Sequence, residues 1–73
     1  MTGRPVKHSL TLRGHRTSVS LEEDFWRTFR EIATERGVAL NVLATEIDES
    51  RAADVGLASA IRVAVLARYR DRP

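Results

Sequence analysis

The sequence predicts a mainly α-helical fold with one short β-strand near its start, assembled as an intertwined homodimer around an antiparallel ribbon formed between two chains. Three observations lead there. The chain has 73 residues and no cysteine, so it is one small domain without a disulfide or cysteine-ligated metal to hold it together. Residues 15–21, His-Arg-Thr-Ser-Val-Ser-Leu, alternate polar and apolar with the period of a half-buried strand. Everything after them carries helical periodicity. A lone seven-residue strand is unstable unless its backbone groups find a partner, and a second copy of the chain is the simplest staple for so small a core.

In chain order, residues 1–7 contain Gly3 and Pro5 and read as a flexible basic arm, with the domain proper at 8–73. Residues 8–12 alternate briefly, with Leu10 and Leu12 on one side, before Arg13-Gly14 breaks the pattern. In the strand at 15–21, Thr17, Val19 and Leu21 share one face and Arg16, Ser18 and Ser20 the other. Residues 8–12 compete with a second chain as the pairing partner, by folding back through Arg13-Gly14. A first helix is expected at about 22–36. Ser20 to Glu23 has capping-box spacing, and Glu22, Glu23 and Asp24 suit the positive end of the helix dipole. Phe25, Trp26, Phe29, Ile32 and Ala33 recur on one face, and Gly37 ends the helix. A second helix is expected at about 40–50, with Leu40, Leu43 and Ile47 in a stripe, and a third at about 57–70, led by Leu57, Ile61 and Val65. The last is read as an addition to the basic unit.

The net charge is only +2, but its distribution is uneven. Residues 1–21 hold Arg4, Lys7, Arg13 and Arg16 and no acid. Residues 22–50 hold eight acids against Arg27, Arg30 and Arg36, and residues 51–73 hold five arginines against Asp54 and Asp71. Dimerisation doubles the N-terminal charge and concentrates it on a shared face. The outward strand residues suit the DNA major groove, which admits a two-stranded ribbon. An arginine there can bond two guanine acceptors at once, and serine hydroxyls serve either base type.

Other classes find no support. The two histidines, His8 and His15, make no metal cage, and no nucleophile–base pair or phosphate-cradling glycine loop is present. No enzymatic activity, cofactor or metal is expected. No apolar run reaches membrane-spanning length and no secretion signal is legible, so the expectation is a soluble cytoplasmic protein with no membrane partner. The arginine-rich composition, with Lys7 the sole lysine, fits a bacterial source.

The stretch from His15 to Trp26, polar–apolar alternation ending in Leu21, then acids, then a hydrophobic pair, resembles the strand-to-helix entry of ribbon–helix–helix proteins, the superfamily of the Arc and methionine repressors. Glu35-Arg-Gly37 followed by Val38 resembles that family's link between helices. Arg13 to Glu22 and Gly56 to Arg62 are similar to short bacterial ribbon–helix–helix domain proteins, so the likeness covers nearly all of the chain after Lys7. It implies a DNA-binding transcriptional regulator whose partners are double-stranded DNA and a second copy of itself. By resemblance, Arg16, Ser18 and Ser20 fall at the base-contacting positions. The start of the second helix faces the DNA backbone, where Asn41 stands in for the family's capping Ser or Thr, since Ala39 cannot. Backbone contacts are also expected from Arg4, Lys7, Arg13 and His15. The expected dimer core is Val19, Leu21, Phe25, Trp26, Phe29, Ile32, Leu43, Ile47, Ile61 and Val65. Gly56 to Arg62 also resembles a second-helix sequence, so the middle and last helices compete for that role. The competing class is an interaction module that keeps the fold but binds another protein.

Overall fold

A computed structural model describes residues 3–71. The chain runs β1 (Val6–Leu12), β2 (His15–Leu21), α1 (Glu23–Arg36), α2 (Leu40–Ser50) and α3 (Leu57–Arg70). The three helices lie where their periodicity puts them.

The sheet differs from the expected single strand. There are two strands, and β1 pairs antiparallel with β2 in the same chain, from Val6 opposite Leu21 to Leu12 opposite His15. Val6 and Lys7, assigned from sequence to the basic arm, belong to this strand; Met1 and Thr2 of that arm lie outside the described residues. The physical reason is the turn. Arg13 and Gly14 both have positive φ, 51° and 81°, which is the backbone of a type I′ turn, whose twist matches that of the flanking strands. The break in the alternation is therefore the tightest form of hairpin, and one edge of β2 is filled in cis.

Side-chain parity then sorts the ribbon. Leu10, Leu12, Val19 and Leu21 are buried on its inner face, while Lys7, Ser9, Thr11, Arg16, Ser18 and Ser20 are exposed on its outer face. The inner face sits on α2 beside β1 and on α3 beside β2, and α1 closes the core from beyond them. Phe29, Leu21 and Ile61 are the largest completely buried side chains, one each from α1, β2 and α3. Of the expected dimer core, Val19, Leu21, Phe29, Ile32, Leu43, Ile61 and Val65 are buried within this one chain, and Phe25, Trp26 and Ile47 pack half-buried against them. Leu10, Leu12, Ala33 and Ala44 complete it. Burying roughly 2 kcal/mol worth of side chain at each large apolar position is what holds the hairpin down.

Two helix ends depart from or refine the sequence reading. The capping box does not form: Glu22 is the residue before α1, with no side-chain cap bond, and its carboxylate turns instead to Arg62. At the other end, Gly37 (φ 70°) donates to the Thr34 carbonyl and Val38 to the Ala33 carbonyl, a Schellman closure that needs the left-handed residue glycine supplies.

Candidate nucleic-acid interface

The outer face of the hairpin is a continuous polar surface made by one chain. Cross-strand neighbours are Lys7 with Ser20, Ser9 with Ser18 and Thr11 with Arg16, so small hydroxyl residues occupy the middle and a cation stands at each diagonal end. Arg16, Ser18 and Ser20, the residues expected to read bases, thus lie together on it. Lys7 joins them. Ser9 and Thr11 complete the row and were missed from sequence, although their alternation with Leu10 and Leu12 carries the signal.

The ion pairs divide the cations in a telling way. Arg36 binds Glu46 at 2.9 Å, Arg51 binds Asp48 at 2.8 Å, Arg62 binds Glu22 at 2.9 Å and Arg68 binds Glu35 at 2.7 Å. Arg13, at the hairpin tip, reaches Asp48 and Glu49, both at 3.3 Å. Among the described residues, no acid pairs with Lys7 or Arg16 on the ribbon, or with Arg4 just before it. Arg27 and Arg30 of α1 and Arg70 of α3 are likewise without an acidic partner among the described residues, but on the ribbon the open cations, Lys7 and Arg16, stand in one row with small hydroxyl residues between them.

The ribbon is held firmly from beneath. His8, on the inner face, stacks flat on Trp26 of α1 with ring centroids 3.9 Å apart, and its Nε2 lies 3.5 Å from Glu23. Arg62 of α3 donates to the Glu22 carboxylate and to the Ser20 carbonyl at 3.3 Å. The Glu22 carboxyl is held below the ordinary carboxylate range, chiefly by a backbone hydrogen bond at Glu22 itself and then by Arg62.

Asn41 occupies a different place from a free helix cap. Its Oδ1 accepts the backbone N–H of Thr11 at 3.1 Å, which ties the first turn of α2 to the outer edge of β1. Its amide NH₂ has no partner among the described residues. Ala39 provides no side-chain cap, so the first-turn amides of α2 stand beside the ribbon edge. His15 shares the parity of the inward residues and lines a cleft with Leu12, Thr17, Asp48 and Arg51, on the side of the ribbon away from the polar row. Among the described residues, no group of three or more potential metal ligands comes together, and no helix is long and apolar enough to cross a membrane.

The architecture is thus a three-helix platform presenting a polar two-stranded ribbon with unneutralised cations. The chain belongs to the ribbon–helix–helix domain family, whose model matches residues 5–69. The match takes in both strands and reaches nearly to the end of α3, so the third helix lies inside the family domain and is no appendage. Neither the curated proteins nor the solved structures yield a significant match.

Proposed function

We propose that the protein is a DNA-binding transcriptional regulator that acts as a homodimer and sets the outer face of its ribbon into the major groove. The single observation that carries this reading is the pairing pattern of the cations: Lys7 and Arg16 face outward without acidic partners, on a strand pair whose other outward residues are small hydroxyls. Arg16, Ser18 and Ser20 are assigned to base edges. Arg4, Lys7 and Asn41 border that row and are assigned to the backbone, with Arg13 able to exchange its carboxylate partners for phosphate at the tip.

The dimer follows from the free edge of β2. A two-residue hairpin makes Leu12–His15 a hydrogen-bonded pair, and the alternation of an antiparallel ladder then turns the backbone groups of Arg16, Ser18 and Ser20 away from β1. One of those groups, the Ser20 carbonyl, is touched by Arg62. The others form a self-complementary row. Centred on Ser18, it pairs Ser18 with its own copy and Arg16 with the copy of Ser20, giving a four-stranded sheet in the order β1-β2-β2-β1. An intermolecular ribbon and an intramolecular one are then both present in one assembly.

A protein partner is favoured as a second reading by α3, where Val63 and Leu66 are 65% and 55% exposed and Tyr69 lies beside them. Retention on duplex DNA separates the readings. The expected result is binding that weakens steeply with salt and, for Arg16→Ala, a loss of roughly 1–3 kcal/mol of specific affinity in a folded protein. No retention even at low salt would end the regulator reading.

A further inference from the structure

We infer that β1 is a phosphate-binding strand: the row Lys7, Ser9 and Thr11, continued by Asn41, grips the two DNA backbones that wall the major groove, while β2 alone reads bases. The inference rests on the dimeric, groove-binding reading above, which already gives Lys7 and Asn41 to the backbone; it adds Ser9 and Thr11, the part of the polar face that reading leaves without a ligand, and makes the whole strand one phosphate-binding line.

The width of the sheet makes the division. Neighbouring strands lie about 4.8 Å apart, so in the order β1-β2-β2-β1 the two central rows are one spacing apart and the two outer rows three spacings, or about 14 Å. The major groove is about 12 Å wide. Two strands fit between its walls; the outer pair falls on the walls themselves, where the partners on offer are phosphate oxygens.

The residues on β1 match that address. Lys7 is a flexible point charge without an acidic partner, suited to a phosphate and unsuited to bidentate base readout. Ser9 and Thr11 are exposed hydroxyls, and hydroxyls commonly donate to phosphate. The forked arginine, by contrast, lies on the central strand. The bond from the Thr11 N–H to Asn41 Oδ1 fixes the first turn of α2 at this same outer edge, with the Asn41 NH₂ still available. Donors from two elements therefore converge along one line, on the flank of the ribbon farthest from the two-fold axis.

The test compares Lys7→Ala, a Ser9→Ala/Thr11→Val double variant and Arg16→Ala on two duplexes of about 30 base pairs, one selected from a random pool by the wild-type protein and one of scrambled sequence. Positions 7, 9 and 11 are exposed, so each variant is expected to fold, with circular dichroism as the check. A phosphate strand predicts that the β1 variants weaken binding to both duplexes by the same factor. Lys7→Ala also lowers the salt slope by about 1.8 per dimer, at roughly 0.9 per phosphate contact. Arg16→Ala instead collapses the ratio between the two duplexes. If the β1 variants change the selected sequence, β1 enters the groove and the inference fails while DNA binding stands. An unchanged slope and affinity for Lys7→Ala also overturns it. Wild-type protein that binds neither duplex removes this inference together with the reading beneath it.

Discussion

Leu10 separates a cis hairpin from a free N-terminal segment. It is 3% exposed and packs into the core from β1. If β1 folds back on β2, replacing Leu10 with alanine leaves a cavity between ribbon and helices. Core Leu→Ala changes cost about 2–5 kcal/mol, and a site on a two-stranded sheet, able to relax toward solvent, belongs near the lower middle, about 3 kcal/mol. A domain of 73 residues has a total stability of only about 4–11 kcal/mol, so this loss is large. At about 4–8 °C per kcal/mol for a domain of this size, the melting temperature should fall by about 12–24 °C. The assay is thermal and urea unfolding followed by circular dichroism at one fixed protein concentration, since the proposed dimerisation would make the midpoint depend on concentration. Ser9→Ala, next door but on the outer face, is the control and should stay within about 0.5 kcal/mol. A Leu10→Ala protein as stable as the control would show that β1 does not pack as described, and the hairpin would have to be abandoned.

Gly37→Ala should cost about 1 kcal/mol in the same unfolding assay, because the Schellman closure requires φ of 70°. Acid should dissolve the tie between α3 and the ribbon. The folded-state value of Glu22 is depressed, so its contribution is present above the ordinary carboxylate range and is lost as pH falls through the folded value. Urea midpoints of wild type and Glu22→Gln should therefore differ at neutral pH and converge in acid; parallel profiles would refute the sign. At micromolar concentration the chain should sediment as a dimer, and Ser18→Pro, which removes a backbone donor at the centre of the free β2 edge, should shift it toward monomer. A monomeric wild type would remove the four-stranded sheet.

Much of this was legible from local pattern. The strand at 15–21 showed because its alternation is strict and ends in two buried residues, Val19 and Leu21. The helices showed because Phe29, Ile32, Leu43, Ile61 and Val65 keep helical spacing. β1 was half legible: Leu10 and Leu12 marked a face, but Pro5, Val6 and Lys7 read as the end of an arm. Arginine is also an unusual residue at a positive φ, so the turn was not announced by an Asn-Gly or Asp-Gly pair. The supporting contacts left no local trace. Thr11 and Asn41 are 30 residues apart and Glu22 and Arg62 are 40 apart, and only the packing of α2 and α3 against opposite strands brings them together. The apparent capping box misled because Ser20 stays in β2 and α1 begins only at Glu23, with Glu22 in the cap position.

The type I′ turn at Arg13-Gly14 has a consequence for how two chains would meet in the proposed dimer. A ribbon assembled only from two separate chains must order its strands during association, so each encounter carries the conformational entropy of folding them. Here each chain brings a strand already straightened, paired on one side and anchored by Leu10, Leu12 and the His8–Trp26 stack. Docking then joins two preformed edges, and association should proceed at the roughly 10⁵–10⁷ M⁻¹s⁻¹ of rigid partners, with lifetime rather than encounter setting the affinity. A chain newly released from the ribosome would hold the outward residues of β2 in place before it met a second copy.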